Sequence, residues 1–314
     1  MAPPPPPPEL MEELVGEILL RLPPEEPKHL FRAALVCKPW LRILCDPAFL
    51  RRYRAFHGAP PLLGLLHKRQ VPIGVSPIRF ASTTSLPDFP HPFPDGCPLD
   101  CRHGRVLIRM LGNTGLEYLV WDPITGDKHG VHVPDVKWMA YSSAVLCAVD
   151  GCGHLDCHGG PFASCTHVGD AIYFTLRWCN DIIMYDLRDD CLSMINAPSG
   201  NWCNVALMVM EDSSLGLACI ECSSLLLWPM MVNTKGAVEW VQRRVIKLET
   251  VIPVADPDYI PIVVGSAEGV GVIFISTDAG LFTIDLESER VRKVDEPGVY
   301  ISVLPYMSFY TPVP

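Results

Sequence analysis

Tyr118-Leu119-Val120-Trp121-Asp122-Pro123-Ile124-Thr125-Gly126 is an apolar run that ends in an aspartate and a turn. Its aromatic and β-branched residues suit a strand. The aspartate suits the first turn position because its carboxylate accepts backbone N–H groups, and Pro and Gly supply the constrained and left-handed positions. The same grammar returns in Ile182-Ile183-Met184-Tyr185-Asp186 and in Leu281-Phe282-Thr283-Ile284-Asp285. In each copy a proline stands 12 residues beyond the Asp, at Pro134, Pro198 and Pro297. The repeated unit reads as strand, Asp turn, strand, proline exit. Leu225-Leu226-Leu227-Trp228-Pro229 resembles a fourth copy that has lost the Asp and the spacing, so the repeat is degenerate. The shared position also makes Asp122, Asp186 and Asp285 turn formers rather than acid–base carboxylates.

Around these copies, from Pro61 onward, short apolar runs alternate with turn signals, the pattern of an antiparallel all-β domain. Strands are expected at Arg105–Leu111, Glu117–Trp121, Val168–Thr175, Asp181–Tyr185, Val205–Met210, Leu225–Trp228, Val238–Val245, Gly271–Ile275, Leu281–Ile284 and Tyr300–Leu304. Repeats of this kind point to a degenerate β-propeller, and the available chain would make roughly five or six blades at ~40–50 residues each. A two-layer β-sandwich is the alternative.

Upstream the grammar is helical. Leu10, Leu14, Val15, Ile18, Leu19 and Leu22 recur at helical spacing until Pro23-Pro24 stops them. A second pattern carries Leu30, Phe31, Ala34 and Leu35 and ends at Pro39, and a short third piece runs over Trp40–Leu44. Asp46-Pro47 then reads as an N-cap with proline in the first turn of a helix bearing Phe49, Leu50, Tyr53 and Phe56. So small a set of helices cannot hide all of these apolar side chains among themselves, and the excess calls for a partner. The expected organisation is therefore an α+β multidomain chain: a Pro-rich tail at 1–8, an all-α module at 9–57 and an all-β domain at 58–314.

The chain has 314 residues with a formal charge of −10, from 25 Lys and Arg against 35 Asp and Glu. Residues 9–57 hold 8 basic and 7 acidic side chains, leaving 17 and 28 for the rest, so the negative charge belongs to the β domain. No broad basic surface for nucleic acid or anionic lipid follows. The apolar stretch Leu215–Val232 contains Glu221 and Pro229 and reads as buried strands rather than a membrane span. Pro3–Pro8 is preceded by no basic segment and followed by no apolar signal core, so no secretory leader is expected. The 13 cysteines are then expected as reduced thiols in cytosol or nucleus.

The helical text is specific: Glu9 through Pro24, then Ala34-Leu35-Val36-Cys37-Lys38-Pro39-Trp40, then Asp46-Pro47-Ala48-Phe49-Leu50. It resembles the F-box, the module by which F-box proteins dock on the Skp-type adaptor of a cullin–RING ubiquitin ligase. The remainder is similar, more loosely, to the β-propeller-like associated domains of plant F-box proteins, in which a turn like Val120–Gly126 is frequent. The resemblance implies a non-catalytic substrate-recognition subunit that binds a client through the β domain. It also implies that Leu14, Ile18, Leu19, Leu22, Pro23, Leu35, Val36, Cys37 and Trp40 face the adaptor. Leu41 departs from the pattern, since the family commonly has a basic residue after the Trp. The alternatives are an F-box-linked sensor of a small molecule or glycan, and an unrelated propeller enzyme.

Cys147, Cys152, His154, Cys157, His158, Cys165 and His167 form a Cys/His cluster whose irregular spacing lacks a paired C-x2-C knuckle, so neither zinc nor any cofactor is expected. No nucleophile elbow, P-loop, dinucleotide fingerprint or H-E-x-x-H occurs. Client selectivity is expected in loops of the β domain, with Trp138, Trp178, Trp202 and Trp240 as exposed candidates.

Overall fold

The computed structural model describes residues 11–70, 76–85, 93, 96–102, 104–112, 115–131, 165–175, 181–198, 205–234, 237–256 and 259–312. The chain divides into two units, one made of residues 1–61, 84–86 and 309–314 and the other of 62–83 and 87–308.

The first unit holds α1 (Glu12–Leu20), α2 (Lys28–Ala34), α3 (Lys38–Cys45) and α4 (Pro47–His57). The second helix ends at Ala34, short of Pro39, which stands inside the third. Pro39 lies in the first turn of α3, where its missing N–H costs nothing, so the third helix opens two residues earlier than Trp40. Asp46 caps α4, its Oδ1 accepting from the Ala48 N–H at 3.2 Å. Val15, Leu19, Leu20, Leu30, Ala33, Leu44, Phe49 and Tyr53 form the shared core.

In the second unit β1 (Leu62–Arg69) and β2 (Arg79–Ser82) precede a sheet of β3 (Cys97–Arg102), β4 (Arg105–Gly112), β5 (Gly115–Trp121) and β6 (Lys128–Val131). The next sheet is β7 (Cys165–Val168), β8 (Ala171–Thr175), β9 (Asp181–Asp186) and β10 (Cys191–Asn196). Then follow β11 (Val205–Val209), β12 (Leu215–Glu221), β13 (Ser224–Val232), β14 (Val238–Trp240) and β15 (Arg244–Lys247) as one sheet. The last sequential sheet is β16 (Ile262–Ala267), β17 (Val272–Thr277), β18 (Gly280–Asp285) and β19 (Val291–Asp295). Finally β20 (Tyr300–Met307) pairs antiparallel with β1. That pairing completes a sheet in the order β2-β1-β20 from opposite ends of the unit.

Neighbouring sheets meet through an edge strand of each, with β20 beside β3 and β16, and β11 beside β16 and β7. Apolar clusters fill the gaps between sheets: counting β2-β1-β20 as the first blade, Ala206, Leu225, Ile273 and Phe282 join the fourth blade (β11–β15) to the fifth (β16–β19), and Ile182, Leu207 and Leu217 join the third (β7–β10) to the fourth. The result is a five-bladed β-propeller, not a two-layer sandwich. Its ring is closed by the ladder between β1 and β20, which leaves the first and last strands without free edges on that side.

The Asp turns form as the repeat predicts. Asp122 Oδ1 accepts from the N–H groups of Ile124 and Thr125 at 2.9 and 3.2 Å, and Asp186 Oδ1 from Arg188 and Asp189 at 2.8 and 3.1 Å. Asp285 Oδ1 accepts from Glu287 and Ser288 at 3.1 and 2.7 Å. Four residues past each Asp the backbone is left-handed, at Gly126 (φ 79°), Asp190 (φ 48°) and Glu289 (φ 54°). Pro198 and Pro297 stand just beyond β10 and β19, whereas Pro134 lies outside the described residues.

Two expected strands are each divided. Val168–Thr175 is broken into a hairpin at Gly169-Asp170, where Gly169 takes φ 62°. Val238–Val245 is broken opposite Pro229, which has no N–H to give to a ladder. The outer edge of β13 is consequently shared, Ser224–Leu227 pairing with β15 and Met230–Val232 with β14.

Candidate functional site

The helical unit presents apolar side chains that its core does not absorb. On α1 the stripe splits by face: Val15, Leu19 and Leu20 turn inward, and Leu14 and Ile18, four residues apart, stay 47% and 50% exposed. At the end of α2, Leu35 is 85% and Val36 62% exposed. Cys37 is exposed in extended backbone ahead of α3, and Pro23 is exposed on the connection after α1. Leu22 and Trp40 are half-buried against the core, and Leu19, only 1% exposed, belongs to the core itself. Met11 joins the exposed set at 63%. Its spacing of three from Leu14 and seven from Ile18 was the helical signal available for it.

The connection that carries Leu22 and Pro23 is held from below. Tyr53, fully buried on α4, donates its hydroxyl hydrogen to the Leu22 carbonyl at 2.7 Å, and His57 Nε2 lies 2.9 Å from the Leu20 carbonyl oxygen. Burial, and secondarily the Glu25 carboxylate, push the Tyr53 phenol far above its ordinary range, so it remains a donor. Further along the connection, Glu26 accepts from Ser85 at 3.1 Å and pairs with Lys28 at 2.8 Å. The Lys28 hydrogen bond is the main cause of the lowered Glu26 carboxyl. Glu17 on α1 pairs with Arg52 on α4 and with Arg21, and hydrogen bonds from these two guanidinium groups hold its carboxyl below the usual range. An exposed apolar strip is thus mounted on a braced scaffold. Such a surface can bind a complementary apolar groove.

On the propeller an open cleft of 370 Å³ lies on the fourth blade, lined by Asp212, Ser214, Pro229, Met230, Met231, Val241 and Arg243. An Asp212–Arg243 ion pair at 3.8 Å spans it. Trp240, expected in an exposed loop, instead lies half-buried in β14 against the core between the third and fourth blades. Trp138, Trp178 and Trp202 lie outside the described residues, as do Cys147, Cys152, His154, Cys157 and His158; Cys165 and His167 fall on β7. Among the described residues no group of three His, Cys, Asp or Glu is placed to hold a metal ion, and no helix is long and apolar enough to cross a membrane. Burial pushes the Cys219 thiol up to about 12, which leaves it unreactive.

Residues 8–52 match the F-box domain family. Among curated proteins none matches the chain. Among solved structures, a nidogen/laminin complex is similar at 10% identity and TM-score 0.37, covering 78% of this chain and 98% of that one. TolB from Acinetobacter baumannii is similar at 12% identity and TM-score 0.34, covering 81% and 69%.

Proposed function

We propose, from the premise that this is an F-box protein with a five-bladed β-propeller behind its F-box, that it is the substrate-recognition subunit of an SCF-type (Skp–cullin–F-box) E3 ubiquitin ligase. The F-box docks on the Skp-type adaptor, and through it on the cullin–RING assembly, while the propeller holds a client protein. The chain contributes no catalytic group. Ubiquitin transfer gains from the proximity of a bound client to a separate charged conjugating enzyme, which raises the effective concentration of the reacting lysine. The reading places the protein in the cytoplasm or nucleus, where that machinery works.

The observation that carries this reading is the set of Leu14, Ile18, Leu35 and Val36, large apolar side chains left in water on a unit that matches the F-box. Their hydration is unfavourable by ~25 cal/mol per Å² until a partner covers them. Because these residues make little of the core, they can be changed without unfolding the unit. The test is binding of purified Skp-type adaptor to the full-length protein and to variants Ile18→Asp and Leu35→Asp. Tight binding by the wild type and loss of roughly a hundredfold or more in each folded variant is the expected result. A folded wild type that ignores the adaptor overturns the assignment.

A further inference from the structure

The core of the helical unit is completed from the far end of the chain. Residues 309–312, which follow β20, belong to the same unit as α1–α4. Phe309 packs on the core around Tyr53, meeting that ring edge-on with centroids 6.0 Å apart and planes at 80°. Tyr310 lies against Phe31 of α2 at 5.1 Å. The Cys45 thiol at the end of α3 donates to the Pro312 carbonyl at 3.7 Å. The tail thus touches α2, α3 and α4 in the space of four residues.

The residues it touches are the ones that set the exposed apolar strip. Tyr53 is the donor that fixes the Leu22 carbonyl, and with it the start of the Leu22–Pro23 connection. Phe31 lies one helical turn before Leu35, which the tail leaves 85% exposed. The tail therefore supports the strip without covering it.

We propose that Phe309 and Tyr310 are positioning residues for adaptor docking: the tail orders α2 and α4 so that Leu22, Pro23, Leu35 and Val36 are presented together. The helical unit of this chain is, on this view, a composite of α1–α4 and residues 309–312, and loss of those residues weakens its docking. The inference rests on the adaptor reading above.

The test uses the full chain, a double variant Phe309→Ala/Tyr310→Ala, a chain ending at Ser308, and the conservative variant Phe309→Tyr. Amide hydrogen exchange is followed in α4 and in residues 19–31, with β16–β18 as the internal reference. Adaptor affinity is measured in parallel, at a temperature where every variant keeps wild-type circular dichroism. The expected result is faster exchange in the helical unit of the double and truncated variants with the reference strands unchanged. Their adaptor affinity falls roughly threefold to tenfold, and Phe309→Tyr restores both readouts. Wild-type exchange in the helices after truncation overturns the proposal, and so does unaltered affinity alongside altered exchange. A wild type that fails to bind the adaptor overturns the ligase reading instead, and is recognised because it precedes any comparison of variants.

Discussion

The indole N–H of Trp240 on β14 donates to the backbone carbonyl of Asn196 at the end of β10, at 2.8 Å, and so ties the fourth blade to the third. Met184, Met230 and Ala197 pack in the same cluster as the ring. Trp240→Phe keeps an aromatic face but removes the donor together with part of the indole's volume, of which the hydrogen bond alone is expected to account for about 0.5–1.5 kcal/mol. Trp240→Ala, which also empties the ring's space, is expected to cost more, roughly 2–4 kcal/mol given that the ring is only half-buried. Urea midpoints of the three proteins check this. Equal losses for Phe and Ala would show that the aromatic face kept by Phe adds nothing to packing.

The Asp turns make a second, graded prediction. Burial pushes the Asp285 carboxyl up, yet the donors of Ser288, backbone and hydroxyl, and the Glu287 N–H reverse this and leave it below its ordinary range. Asp285→Ala loses every one of these bonds, at about 1–2 kcal/mol, whereas Asp285→Asn keeps an acceptor and loses less. In denaturant titration the midpoint of Asp285→Ala falls with an unchanged slope, as a local turn defect should.

These turns were legible in the sequence because their chemistry is local: an aspartate, its own next few N–H groups and a left-handed fourth position. The outer strands were not. All four residues of β6, Lys128 to Val131, are exposed, so no alternation between core and solvent marks them. The pairing of β1 with β20 was hidden for another reason, since its partners lie at opposite ends of the unit and no short-range signal joins them. In the helical unit the spacing revealed an apolar stripe on α1, but only packing against the other helices decided that Leu19 enters the core and Ile18 does not. No motif in the sequence marks Phe309 and Tyr310, since their place against Tyr53 and Phe31 exists only in three dimensions.

The hairpin between β12 and β13 turns through Cys222 and Ser223, both with positive φ, 46° and 58°. A two-residue hairpin of this shape favours Asn-Gly, and side chains bearing a Cβ are strained in it. Replacing Cys222-Ser223 by Asn-Gly is expected to stabilise the propeller by about 1 kcal/mol, raising its melting temperature by roughly 2–4 °C. It also removes an exposed thiol. Differential scanning calorimetry reads the shift, and a lower melting temperature would mean that these side chains hold contacts the backbone geometry does not reveal.

Glu17 gives the helical unit a pH dependence of definite sign. Its carboxyl is lowered from 4.5, first by the hydrogen bond from Arg52 and then by that from Arg21. A carboxylate whose folded-state pKa is depressed contributes stability that is present above its unfolded value and disappears as the pH falls through the folded one. The link between α1 and α4 is therefore at full strength at neutral pH and is lost only below about 4.5. In thermal melts followed by the helical signal at about 222 nm, Glu17→Gln should melt below the wild type at pH 7, by a gap that narrows steadily as the pH drops beneath the carboxylate range. Both side chains are largely exposed, so the gap at pH 7 should also shrink as salt is raised. A gap that survives unchanged at pH 3 would show that Glu17 acts through packing of its stem and not through its charge.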